Sequence, residues 1–238
     1  MPEQNQKLTI IVPVYNEEEC LERFQDDMAH FMAVVPVKTA VLFVDDGSTD
    51  NSLEIVKKIC SITPSYVWIA LEKNRGLSTA IKAGIDHCRT ELIGYIDADL
   101  QTTPLDFLGM LHHIPEYDMV NGIRQNRKDT FVKKISSAVA NGFRKKLIGD
   151  GIQDTCCPLK ILKSEYASKI PFFNGMHRFI PALVQHAGGS VIQVPVRHFP
   201  RYAGEAKYHL RNRLVGPFVD SLAVAWMKRR LIRYKLID

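Results

Sequence analysis

Leu92-Ile93-Gly94-Tyr95-Ile96-Asp97-Ala98-Asp99-Leu100-Gln101 is the stretch on which the fold is decided. An apolar run of strand length gives way at once to two carboxylates one residue apart. The run reads as a buried strand, and Asp97 and Asp99 as its carboxyl-terminal edge. The same layout recurs toward the N-terminus. The β-branched run at 8–14 is a strand ending near Pro13 and Asn16. A helix over 17–33 follows, its first turn acidic at Glu17, Glu18 and Glu19, which suits the positive end of a helix dipole. Residues 39–44 form a second strand, then a turn at Asp45-Asp46-Gly47-Ser48 and a helix through Cys60, with Asp50 as its cap or a ligand contact. A third strand spans 66–71, and Asn74-Arg75-Gly76 turns into a helix that runs to about Cys88. This rhythm predicts an α/β fold: a mostly parallel central sheet with helices on both faces. Ligands in such sheets bind beyond the carboxyl ends of the strands. Asn16-Glu17, Asp45-Asp46 and Asp97/Asp99 all lie there, on one edge.

Composition bounds the alternatives. The 238 residues are 46% apolar and 24% charged with a net charge of +5, the balance of a globular protein. The glycine fingerprints of dinucleotide sites and P-loops are missing, which disfavours a Rossmann dehydrogenase and a P-loop NTPase. No RRM, KH or helix-turn-helix signature supports nucleic-acid binding. The N-terminus is polar, and the longest apolar stretch, 214–227, falls short of the ~20 residues of a membrane span and carries Asp220. Five cysteines without metal-site spacing suggest reduced thiols and a cytoplasmic chain.

The second half changes character. Residues 131–147 read as an amphipathic helix carrying Phe131, Ile135, Val139, Phe143 and Leu147 beside Lys133, Lys134, Arg144, Lys145 and Lys146. Residues 119–121 and 191–196 are later strands. Gly216-Pro217 marks a helix start. The helix after it bears Phe218, Leu222 and Trp226, then Lys228, Arg229, Arg230, Arg233 and Lys235. The expected organisation is a catalytic domain over 1–209 and a basic, amphipathic helical extension over 210–238.

Two carboxylates one residue apart at a strand end can reach one hard cation. Oxygen ligands suit Mg²⁺ or Mn²⁺, which also bridge substrate phosphates. Gln101 adds a carbonyl oxygen at the next alternate position.

On these residues the chain resembles the family-2 glycosyltransferases of GT-A fold, in their polyprenyl-phosphate, dolichol-phosphate mannose synthase-like branch. The matching segments are Val12-Pro13-Val14-Tyr15-Asn16-Glu17-Glu18, Val44-Asp45-Asp46-Gly47-Ser48-Thr49-Asp50, Asn74-Arg75-Gly76, Asp97-Ala98-Asp99-Leu100-Gln101 and the loop Arg201-Tyr202-Ala203-Gly204-Glu205-Ala206-Lys207. The resemblance implies that Asp46 and Glu17, with the backbone from Pro13 to Tyr15, hold the nucleotide base and ribose. It implies that Asp97, Asp99 and Gln101 hold the metal and through it the diphosphate, and that Arg201 and Lys207 contact phosphates or close a loop over them. Arg124 matches an arginine facing the acceptor phosphate, with Lys133 or Lys134 at a second basic position. Asp154 aligns with an acidic residue beside the acceptor, and His177 and Arg178 fall on the acceptor side. Ala206 departs from the usual Ser of the loop. His112-His113 read as surface residues at a helix start, His198 and His209 as structural, and Cys156-Cys157 as inert.

The expected activity is metal-dependent transfer of a sugar from a nucleotide diphosphate to a polyprenyl phosphate, with inversion. The alternatives are a family-2 enzyme with a glycan or other hydroxyl acceptor, which needs a general base, and a non-catalytic nucleotide-sugar-binding subunit of a membrane complex. The lipid acceptor and the basic aromatic helices imply peripheral attachment to the cytoplasmic face of the membrane. A homo-oligomer or a membrane-protein partner stays open. Many similar enzymes carry transmembrane helices after the catalytic domain; this chain reads as stopping at Asp238 without them.

Overall fold

The computed structural model describes residues 6–125, 142, 144–202 and 215–232. Lys133, Lys134, Ala206, Lys207, His209, Arg233 and Lys235 lie outside them, as does most of the expected helix at 131–147.

In chain order the elements are β1 (Leu8–Val14), α1 (Glu18–Val34), β2 (Thr39–Asp45), α2 (Ser52–Ile62), β3 (Tyr66–Ala70), α3 (Leu77–His87), β4 (Leu92–Tyr95), α4 (Asp106–Leu111), β5 (Met119–Arg124), β6 (Lys160–Lys163), α5 (Ser164–Ala167), α6 (Ile180–His186), β7 (Val191–Val196) and α7 (Val215–Arg229). The strands form one seven-stranded sheet in the order β3-β2-β1-β4-β6-β5-β7. It is parallel except at β6, which runs antiparallel to both β4 and β5. The expected strands are present, and β6 is an addition. His112 follows the end of α4 rather than marking a helix start.

Burial on both faces explains the near-continuous apolar strands. Leu8, Ile10, Val12 and Val14 of β1 join Phe24, Met28 and Phe31 of α1 in one core. Ile11 and, from β2, Leu42 and Val44 belong to the core on the other face, with Ala80 of α3. Each such side chain contributes roughly 1.5–3 kcal/mol. Gly84 makes the α3 contact feasible, because a Cβ there meets the Ile11 side chain at 2.7 Å.

The sheet opens where a ligand would enter. β1 pairs with β2 along seven residues but with β4 only from Leu8 to Ile11. The chain order reverses between β1 and β4, so the crevice beyond Ile11 is a topological switch point. Pro13 is buried in β1 beyond the reach of β4, where its missing N–H breaks no β1–β4 ladder bond.

Candidate active site

The loops after β1 and β2 are tied together. The Asn16 amide donates to Ser48 Oγ (3.0 Å), the Thr49 amide to Asn16 Oδ1 (2.8 Å) and the Glu17 amide to Ser52 Oγ (2.8 Å). Asp50 accepts from the Ser52 amide (2.9 Å) and the Glu18 amide (3.3 Å), so its carboxylate serves the first turns of two helices. Of the two roles read from the sequence, the cap is the one these bonds display.

Asp46 is nearly inaccessible and already engaged. Its Oδ1 accepts from the Arg75 amide (2.8 Å), and its Oδ2 from the Gly76 amide (2.8 Å) and Asn74 Nδ2 (3.0 Å). Burial raises its pKa, and these bonds work against that rise. The resemblance put Asp46 against the nucleotide; here its carboxylate shapes the loop opening α3. Gly47, at φ +68°, lies against the backbone of Lys73 and Asn74, with a Cβ position 2.4 Å from the Lys73 carbonyl carbon.

The carboxylates of the opening segment stand at the end of β4. Asp97 Oδ1 accepts from Tyr95 Oη at 2.6 Å. Burial, then repulsion from Asp99, pushes the Asp97 carboxyl up to about 6. Asp99 is buried and receives the Gln101 amide on Oδ1 (3.1 Å) and Arg201 Nη2 on Oδ2 (3.2 Å). Between them and Gln101, Leu100 adopts φ +59°, a left-handed conformation that leucine takes only when held there. The segment after β7 does the holding: the Gln101 carbonyl accepts the Phe199 amide (2.9 Å) and hydrogen-bonds His198 Nδ1 (3.1 Å). Arg201 is thereby brought to the acidic pair rather than left at a distant loop.

The donor set fits a small divalent ion shared with a substrate. Among the described residues no three His, Cys, Asp or Glu side chains form a cage. Two mutually repelling carboxylates are what Mg²⁺ or Mn²⁺ needs when phosphate oxygens and water complete its shell.

A second charged pair lies near enough for the Arg124 charge to act on Asp97. Arg124 ends β5, and Asp154 grips it through both oxygens: Nε to Oδ2 and Nη2 to Oδ1, each 2.8 Å, with the Arg124 amide at 3.2 Å from Oδ2. Burial opposes the charge on Arg124, and the Asp154 contact more than restores it, so its pKa is raised. The Asp154 carbonyl accepts Asn121 Nδ2 at 3.0 Å. Residues read from the sequence as separate acceptor contacts are thus one bidentate unit.

His177 and Arg178 are engaged differently from the expectation. His177 Nδ1 bonds Ser78 Oγ (2.8 Å), and burial lowers its pKa to about 3, leaving a neutral ring. Arg178 pairs with Asp220 of α7 at 3.7 Å. Both brace the turn at Gly175 instead of presenting free charge. Tyr15, Glu17 and Gln101 are half-buried on the same strand edge. Sequence reading missed Lys160, Asn121 and Tyr95. A lysine between Leu159 and Ile161, directly after the Asp154 turn, was the signal available. A cleft of about 730 Å³ lined by Val37, Leu92, Leu108, Leu111 and Ile114 lies at the opposite end of the strands and shares no residue with these clusters.

Comparison with known proteins bears on the family and the fold. A sequence profile described as Glycosyl transferase family 2 matches residues 9–170. A dodecaprenyl-phosphate galacturonate synthase of Rhizobium johnstonii is 34% identical over 234 residues, covering 96% of this chain and 69% of its own length. An undecaprenyl-phosphate 4-deoxy-4-formamido-L-arabinose transferase of Edwardsiella ictaluri is 30% identical over 207 residues, covering 86% of this chain and 64% of that one. The chain therefore spans about two thirds of the length of these relatives. Glucosyl-3-phosphoglycerate synthase of Mycobacterium tuberculosis, solved with Mg²⁺ and uridine diphosphate, superposes with a TM-score of 0.70 at 12% identity, covering 96% of this chain and 81% of that one. The same enzyme with Mn²⁺, UDP-glucose and phosphoglyceric acid gives 0.69 at 12% identity, with the same coverage. At that identity the likeness speaks for the GT-A fold alone.

Proposed function

This chain belongs to glycosyl transferase family 2, and on that premise we propose that it moves a sugar, with inversion, from a nucleotide diphosphate to a polyprenyl phosphate. The observation that carries the reading is the pairing of two charged units at one strand edge: Asp97 and Asp99 with Arg201, and Arg124 with Asp154.

Asp97, Asp99 and Gln101 would hold a divalent ion, whose chemistry when bound would be neutralisation of charge on the leaving diphosphate. Glu17, the backbone from Pro13 to Tyr15, and the 74–76 loop shaped by Asp46 form the donor side. Arg201 exchanges Asp99 for diphosphate oxygens, and Lys207 is a further candidate for them. Arg124 offers the acceptor phosphate the N–H groups that Asp154 leaves unused. Lys133 and Lys134 are further candidates for that phosphate. A phosphate monoester has a second pKa near ~6 and is largely dianionic at neutral pH. It is already a nucleophile, so orientation replaces a strong general base. Asp154 supplies that orientation by fixing Arg124, while His177 and Arg178 support the wall behind it.

No helix among the described residues is long and apolar enough to cross a membrane. We infer peripheral contact with the cytoplasmic face through the 210–238 extension. Phe218, Val219, Leu222 and Trp226 of α7 are exposed, while Val224 is buried in the core. Arg229 and Arg230 lie near its end, and Lys228 donates to the Ile148 carbonyl at 2.6 Å, which draws Lys145 and Lys146 to the same region. An apolar stripe beside clustered cations matches an anionic bilayer.

The test is transfer from a panel of nucleotide sugars to polyprenyl phosphate with Mg²⁺ or Mn²⁺. Product forms with a member of the panel and is lost on chelation and in Asp99→Asn; product that survives both overturns the reading.

A further inference from the structure

Lys160 opens β6 with 1% of its surface exposed, a burial that an ammonium takes only with compensation. Its register partners are Tyr95 on β4 and Asn121 on β5, so the three side chains form a row on one face of the sheet beneath the two charged units. The ammonium donates to the Cys157 carbonyl and lies 5.7 Å from the centre of the Tyr95 ring, whose hydroxyl donates to Asp97. Cys157 closes the turn from Asp154, its amide reaching the Asp154 carbonyl at 3.4 Å. Burial draws the Lys160 pKa down and the Arg124 charge adds to that, while Cys157, Cys156 and Asp154 act in the opposite sense. The Lys160 charge in turn acts on Asp97.

The charge balance is simple. Asp97, Asp99 and Asp154 are three carboxylates; Arg124 and Arg201 are two guanidiniums. Among the described residues, Lys160 brings this group of six side chains to neutrality.

We propose that Lys160 is a positioning residue: a fixed internal cation that balances the three carboxylates and, through the Cys157 carbonyl, holds the turn from which Asp154 aims Arg124. The inference rests on the reading of the site as one for a metal-bound diphosphate and a phosphate acceptor. It assigns Lys160 no contact with substrate. Its consequence is a pair of effects of opposite sign. Removing the buried positive charge makes the site more attractive to a divalent cation and less attractive to a phosphate. A residue that merely fills space moves both affinities in one direction, or neither.

At an effective dielectric of about 20, a unit charge roughly 12 Å from another shifts its binding by about tenfold. Removing one member of a buried charge set commonly destabilises a fold, so Lys160→Met and Lys160→Gln are both made and the one that folds is carried forward. The probes are Mn²⁺ alone, followed by electron paramagnetic resonance, and farnesyl phosphate, followed by calorimetry, both at pH 8. The neutral variant is expected to bind Mn²⁺ about three- to tenfold more tightly and farnesyl phosphate more weakly by a similar factor, with Lys160→Arg returning both toward the parent. Affinities that stay within twofold, or that weaken together, overturn the proposal. If the parent protein binds neither probe, the functional reading itself falls and this inference falls with it.

Discussion

A carboxylate that grips a guanidinium through both oxygens cannot be replaced by an amide without loss. Asp154→Asn removes the charge and one acceptor from a pair whose side chains are only 13% and 10% exposed. Breaking such a pair leaves Arg124 buried without its counterion, at a cost of about 3 kcal/mol. Urea unfolding checks that cost. In turnover assays the variant raises KM for the prenyl phosphate while the donor KM stays within about twofold. Normal affinities with full turnover would show that Asp154 does not orient the acceptor side. This pairing was only half legible in the sequence. Arg124 and Asp154 stand out separately, as a strand-end arginine and an acidic residue before Cys156-Cys157. Their bond spans 30 positions and depends on β6 bringing the 154–157 turn beside β5. Asp46 shows the converse: its place on the edge is readable, but its capture by the 74–76 amides follows from the close approach at Gly47, which no local pattern encodes.

The reversed strand is the element on which the second half depends. At its far end, Lys163 Nζ reaches Asp118 Oδ1 at 2.8 Å, and Asp118 Oδ2 accepts the Ser190 amide (2.8 Å) and hydroxyl (2.9 Å). One carboxylate thus staples β5, β6 and β7. Burial alone would raise the Asp118 pKa, but the bonds from Lys163 and Ser190 hold it down to about 2, against an ordinary 3.8. A folded-state pKa below the unfolded one stabilises above about pH 4, and that stability is lost as pH falls through 2. With solvent screening the contribution is on the order of 1 kcal/mol. Unfolding midpoints across pH 2–6 should therefore show Asp118→Asn less stable than the parent at pH 6, with the gap closing toward pH 2; a gap that is constant with pH contradicts the staple. β6 escaped sequence reading for a physical reason. Four residues, Lys160 to Lys163, are too short to display a period, and lysines at both ends mask the buried Ile161 and Leu162. The parallel strands were legible because burial on both faces demands long apolar runs.

At the scale of the whole molecule, a chain of net charge +5 places described cations both inside the site and on one outer face. Arg124, Arg201 and Lys160 offset the carboxylates of the site. The cations beside α7 flank exposed apolar residues, with Trp226 62% exposed and Phe218 48%. Flotation with anionic vesicles should recover the parent protein at low salt and lose it progressively as salt rises. Trp226→Glu, on the outer side of α7, should abolish recovery without lowering thermal stability. Equal recovery of parent and variant would remove α7 from the contact. In the proposed function the two charged units act together: one carries away a diphosphate, and the other presents a phosphate as nucleophile. The most direct measurement is initial-rate transfer, with metal and the active nucleotide sugar, to a prenyl phosphate and to the matching prenol. Transfer to the phosphate alone, abolished by chelation, is the predicted result; comparable transfer to the prenol, or transfer that persists without metal, contradicts it.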